Sequence, residues 1–224
     1  MIKRTKLADR LLPTYTIAEE RTNMITHIFG GAMGIIALVL CVLRAGYRGS
    51  PIDIVGAAIF GSSLILLYTM SSVYHGLKPG MGKKVLQIID HCTIYILIAG
   101  SYTPVVLSAI RPVNPVLAWG LFGAEWALAL FAIVLTAIDL KKYQTLSMIC
   151  YIGLGWGILP FMKTIWAVMT PTGFWLLLAG GISYTVGAVL YGIGSRRPWF
   201  HSVFHVFVVI GSALHILAIL LYAL

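Results

Sequence analysis

Apolar residues dominate this chain in seven long runs, separated by short stretches where Gly, Pro, Lys and Arg collect. An apolar run of about 20 residues is what an α-helix needs to cross the hydrocarbon core of a bilayer. The runs fall near residues 23–43, 53–75, 85–108, 114–138, 143–167, 172–194 and 200–223. They predict an all-α fold, a bundle of seven transmembrane helices. Gly and Pro interrupt the fifth and sixth runs. Residues 1–21 have little apolar continuity and read as a polar leader, and 22–224 as one membrane domain. No cleavable secretory signal is visible, so the first run is expected to act as its own insertion signal. The short connections leave no room for a soluble domain, and any chemistry must lie inside the bundle or at its rim.

Composition agrees with that pattern. The chain is 59% hydrophobic and 10% charged, whereas soluble domains average about a quarter charged residues. Its net charge of +9 raises nucleic acid as a partner, but the basic residues are dispersed over the connections rather than gathered in a stripe or tail, so none is expected. Topology accounts for them better. Lys3, Arg4, Lys6, Arg10 and Arg21 in the leader, Lys78, Lys83, Lys84, Lys141, Lys142, Arg196 and Arg197 all fall on the N-terminal side. Only Arg44, Arg48, Arg111 and Lys163 fall opposite. The positive-inside rule then places the N-terminus in the cytoplasm and, after seven spans, the C-terminus outside.

Several features need only packing or interfacial explanations. Trp166, Trp175 and Trp199 sit at run ends, where amphipathic rings favour the membrane interface. Gly30-x-x-x-Gly34 and Gly153-x-x-x-Gly157 are spacings that permit close helix contact within the monomer. Cys41, Cys92 and Cys150 are isolated, lack metal-binding or redox spacing and read as packing residues.

The remaining polar residues do not scatter. His75 ends the second run, Asp90 begins the third, His201 and His205 begin the seventh, and Glu20, Asn23, Thr26 and His27 begin the first. All therefore fall toward one membrane side. Polar groups inside a membrane are costly, so their gathering at one depth points to a common site. His201 and His205 are one helical turn apart and can both reach one ion. With His75 they supply three neutral imidazoles, a set that suits Zn²⁺ with a fourth position left for water. Asp90 is then a candidate general base, and Ser71, one turn deeper than His75, a supporting hydroxyl. Glu20, Asn23 and His27 are candidates for groups that orient the ligands.

Each element also has a plain alternative. The histidine pair can be hydrogen-bonded within the bundle, Ser71 can bond back to its own helix, and Asp90, Glu20 and Asn23 can cap helices. His27 can be hydrogen-bonded between helices. His215 is excluded from the ion by about 15 Å of helix rise beyond His205. His91 falls about 100° round the helix from Asp90 and is expected to face elsewhere. Glu125 is a buried acid of either functional or structural kind.

Taken in order, Glu20-x-x-Asn23-x-x-Thr26-His27, Ser71-x-x-x-His75, Asp90 in IIDHCTIYILIAGSYTPV and His201-x-x-x-His205 resemble the hemolysin III branch of the progestin and adipoQ receptor family. The resemblance spans residues 16–224. It implies a seven-helix bundle, a zinc ion held by His75, His201 and His205, and a water contacted by Asp90. Through the alkaline ceramidases of the wider superfamily it implies a lipid amide as the substrate class, and it favours a bacterial inner-membrane protein.

The expected activity is zinc-dependent hydrolysis of an amide or ester in a membrane lipid. A non-catalytic sensor or regulator of lipid homeostasis, stabilised by zinc, is the alternative. Transport ranks below both, because few polar residues thread the opposite half of the membrane. Haemolysis rests on the family name alone: the chain has neither amphipathic β-ribbons nor a long cationic amphipathic helix. The sequence does not indicate an oligomeric state.

Overall fold

The structure, a computed structural model, describes residues 5–194 and 197–224. Lys3, Arg4 and Arg196 of the charge pattern lie outside the described residues. The described residues contain helices and no strand. The elements are α1 (Ile17–Tyr47), α2 (Pro51–Gly76), α3 (Met81–Pro104, ending in a π-helical turn, Val105–Ile110), α4 (Pro115–Ile138), α5 (Gln144–Gly155), α6 (Met162–Val168), α7 (Pro171–Gly194) and α8 (Phe200–Ala218, also ending in a π-helical turn, Ile219–Ala223). With α5 and α6 taken as one crossing, seven segments are long and apolar enough to span a membrane. The protein is a multi-pass membrane protein.

Local chemistry sets the helix starts. α1 begins at Ile17, inside the stretch expected to be leader, because Thr16 and Glu19 form a capping box. The Thr16 hydroxyl accepts from Glu19 N at 3.2 Å, and Glu19 Oε2 accepts from Thr16 N at 2.9 Å. Asn114 caps α4 by accepting from Leu117 N at 3.0 Å. Pro51, Pro115 and Pro171 each open a helix, where the missing N–H costs nothing.

Packing follows membrane rules: small residues bring backbones together and hydroxyls bond across helices. Gly30 lies beneath the Tyr68 ring, and a Cβ on Gly34 would sit 3.1 Å from Leu64 Cβ, as the first small-residue spacing predicts. The second spacing behaves differently. Gly153 faces open space, and Gly157 lies over the Glu125 carboxylate, 3.7 Å from where a Cβ would project. Ser212 on α8 joins three helices, with the hydroxyls of Tyr68 (α2) and Tyr184 (α7) both 2.7 Å from its Oγ.

Of the two runs interrupted by Gly and Pro, only the fifth is broken. Between α5 and α6 the chain passes through a turn and a 3₁₀ turn, Leu159–Phe161. The break is bridged by a neighbour: Tyr102 of α3 donates its hydroxyl to Gly155 O at 2.8 Å and accepts from Ile158 N at 3.3 Å. The sixth run, α7, is continuous.

The leader folds over one end of the bundle. Thr5 N donates to Asp139 Oδ2 at 2.7 Å in the α4–α5 connection, and the Lys84 ammonium donates to Ala8 O. This end also carries the C-terminus of α2 and the starts of α3 and α8, so it gathers the polar residues singled out above.

Candidate metal centre

The three histidines meet. His75 on α2 brings Nε2 to 3.3 Å from His201 Nε2, and His205, one turn along α8, brings its Nε2 to 3.0 Å from the same atom. One ligand atom from each lies within 4.8 Å of the others. For comparison, two nitrogens bound to a tetrahedral zinc at about 2.0–2.1 Å are about 3.3 Å apart.

Hydrogen bonding behind the rings fixes what their front nitrogens can do. His75 Nδ1 lies 2.7 Å from Glu20 Oε2, and a carboxylate can only accept, so Nδ1 carries the proton. His205 Nδ1 faces Asn23 O at 3.3 Å and is a donor by the same argument. In the neutral state both Nε2 atoms are then lone pairs. His201 Nε2 can donate to only one of them. A cation satisfies all three, and carboxylate or carbonyl partners behind metal-binding histidines are the usual arrangement.

Glu20 is itself held, because Lys83 Nζ donates to its Oε1 at 2.6 Å and to Leu77 O at 3.0 Å. Lys83 is only 3% exposed, and Glu20 is the opposite charge that meets it there. Asn23 joins α1 to α8 a second time by accepting from Ser202 Oγ at 2.6 Å. Glu20 and Asn23 therefore hold the His75 and His205 rings and do not cap α1, whose cap is Thr16.

His27 differs from the interhelical hydrogen bond expected of it. Its ring stacks on His205 with centroids 3.7 Å apart and planes 16° apart, and neither ring nitrogen has a partner among the described residues. Tyr15, not singled out in the sequence, covers the cluster from the leader by stacking on His201 at 4.9 Å. Burial lifts its phenol well above the usual range, Tyr74 and Tyr191 adding to the effect, so it stays neutral.

A cavity of about 130 Å³ opens beside the cluster. His201, His205, His27, Ser71 and Asp90 are in its wall, and the rest is largely apolar, including Leu67, Ile94 and Leu97. Asp90 lies well inside α3, so the helix-cap reading does not apply. Ser71 is buried in the same wall, and the hydroxyl that bonds back along α2 belongs to its neighbour Ser72, which donates to Tyr68 O at 2.6 Å. His91 does not face away. It lines this cavity with its Nδ1 3.7 Å from Asp90 Oδ2, donates from Nδ1 to Gln87 O at 2.8 Å and reaches Tyr191 at 3.3 Å. His215 stands apart from the cluster, its Nε2 3.1 Å from Leu177 O, as helix rise requires.

Several known proteins are similar to this chain over most of its length. The chain is 36% identical to Hemolysin-3 of Bacillus cereus over 94% of both chains. It is 40% identical to the Hemolysin-3 homolog of Bacillus subtilis (strain 168) over 93% of this chain and 96% of that protein. More distantly, it is 26% identical to the human Monocyte to macrophage differentiation factor, over 91% of this chain and 84% of that protein. Residues 15–216, which include every residue of the cluster, match the family described as Haemolysin-III related, and the chain belongs to that family.

Proposed function

We propose that this membrane protein is a zinc-dependent hydrolase of an amide or ester bond in a membrane lipid. The observation that carries this reading is the convergence of three Nε2 atoms, two of them fixed as lone pairs by Glu20 and Asn23, beside an apolar cavity that also holds Asp90 and Ser71. His75, His201 and His205 would hold the zinc, which would supply Lewis acidity toward an acyl carbonyl and toward water. Asp90 accepts the proton of the attacking water and returns it to the departing amine or alkoxide as the acyl bond breaks. Ser71 donates to the oxygen that gains charge, or holds Asp90 in place. The apolar wall takes up an acyl chain and limits bulk water.

The excess of basic residues at the leader end supports a cytoplasmic orientation of that end, and the Bacillus relatives favour a bacterial plasma membrane. A second reading is that the ion only ties helices together, since the cluster links α2 to α8. Metal analysis and lipid turnover separate the two. Purified protein is expected to carry about one zinc per chain, and His75→Ala and His205→Ala are expected to lose it. Asp90→Asn keeps the metal and loses hydrolysis of a ceramide or diacyl lipid. Full zinc retention in both histidine variants rejects the proposal, and unchanged turnover in Asp90→Asn rejects the catalytic role of Asp90.

A further inference from the structure

A second and larger cavity, of about 640 Å³, lies beneath the leader. The leader, the start of α3, the α4–α5 connection and Arg197 enclose it, and it shares His91, Tyr191 and His201 with the first cavity. It is therefore a vestibule to the histidine cluster, and its wall carries charge that the cluster does not use.

Arg10 is the anomaly. Its side chain is in the vestibule wall and only 7% exposed, yet among the described residues it makes no hydrogen bond or direct ion pair. A guanidinium on so largely buried a residue, with no direct partner among the described residues and with the vestibule beside it, suits an anion there. Burial lowers its pKa, and Asp139 opposes that effect from a distance. Asp139 is not free to pair with it, because its oxygens accept from Thr5 N at 2.7 Å and Lys142 N at 3.1 Å. Glu19, also in the wall, is committed to Thr16 and to Trp199 N at 2.6 Å. Asp9 is the other acid of the wall, and it is exposed. Lys141 and Arg197 add two exposed cations, and residues 1–4, 195 and 196 include no acid.

We propose that the vestibule binds a phosphate group, gripped by Arg10 and flanked by Lys141 and Arg197. The guanidinium fork matches phosphate geometry in two parallel hydrogen bonds, and the neighbouring apolar cavity suits the chain of an amphiphile that carries the phosphate. This names the headgroup class of the proposed lipid and in that respect rests on the hydrolase reading. Its test, however, is binding without turnover.

Calorimetry on the purified full chain in a non-ionic detergent uses three probes: dihexanoylphosphatidylglycerol, dihexanoylglycerol and inorganic phosphate. The phosphatidyl probe is expected to bind at least about tenfold more tightly than dihexanoylglycerol, the scale of one charge-assisted hydrogen bond. Arg10→Gln is expected to erase that preference while zinc content stays at the wild-type level. Inorganic phosphate binding as tightly as the lipid, and lost in Arg10→Gln, upholds the site and assigns it to the free ion. Equal affinity for the two lipid probes, or an undiminished preference in folded Arg10→Gln, overturns the proposal. If Arg10→Gln does not fold, Lys141→Gln/Arg197→Gln replaces two exposed residues, and an unchanged preference there overturns it. Asp90→Asn keeps full headgroup affinity, so failure of the hydrolase reading is distinguishable from failure of this one.

Discussion

Glu20 on α1 holds His75 on α2 through a 2.7 Å contact between Oε2 and Nδ1, while its other oxygen takes the ammonium of Lys83 at 2.6 Å. The carboxylate thus fixes the tautomer of the His75 ring, leaving Nε2 to face the other two histidines. Glu20→Gln should lower zinc affinity by about 10- to 100-fold, the usual cost of removing a group behind a metal-binding histidine. Competition with a chelator of known affinity measures this. Wild-type affinity in Glu20→Gln would mean that the His75 ring is positioned by packing alone.

Removing Lys83 should act through Glu20. Lys83→Met keeps the length of the buried side chain but leaves one carboxylate oxygen without its charged donor, so a loss of thermal stability of about 3 kcal/mol or more is expected. Pairing it with Glu20→Gln should recover part of that loss, because no buried charge is then stranded. Additive losses in the double variant would argue against direct coupling.

The leader contact has a pH dependence whose sign is fixed by Asp139. Burial works to raise its pKa, but donation from the amides of Thr5 and Lys142 outweighs this and the net shift is downward. A depressed carboxylate favours the folded contact above the ordinary Asp range, about 3.9. That contribution fades as pH falls through the lowered value. Hydrogen exchange at the Thr5 amide should stay slow at neutral pH and lose protection on strong acidification, and Asp139→Asn should weaken protection at neutral pH. Equal protection in the variant would exclude Asp139 as the anchor.

Two glycine substitutions should separate packing from propensity. A Cβ on Gly61 would lie 2.6 Å from Leu38 Cα, a backbone atom that cannot swing aside, so Gly61→Ala should destabilise by about 1–3 kcal/mol. Gly120 has nothing within 4 Å of its Cβ position, and Gly120→Ala should be neutral or slightly stabilising. Thermal unfolding in detergent compares them. Equal effects would mean that α1 and α2 are not in close contact at Gly61.

The seven crossings and the three clustered histidines were legible because each has a one-dimensional signature: run length for a span, spacing of four for His201 and His205, and an imidazole at a run end for His75. The role of Glu20 was harder to read, since a cap on the first helix explained it as well as a place behind the histidines. Thr16-x-x-Glu19 held the answer, as a capping box assigns Glu19 to the helix start and releases Glu20. Lys83 looked like a loop charge because nothing in its neighbours signals burial at 3% exposure. Tyr15, the stacking of His27 and the inward face of His91 depend on how separate helices lean together, which no spacing rule encodes.

The broken fifth crossing also bears on how the chain assembles in a bilayer. Main-chain groups at Gly155 and Ile158 find their hydroxyl partner on α3, and lipid offers nothing in its place. Segments 144–168 would therefore enter the hydrocarbon with unmet polar groups unless the third crossing were already beside them. Biogenesis must then deliver these two crossings as a pair, and truncations that end between them should stall at that step.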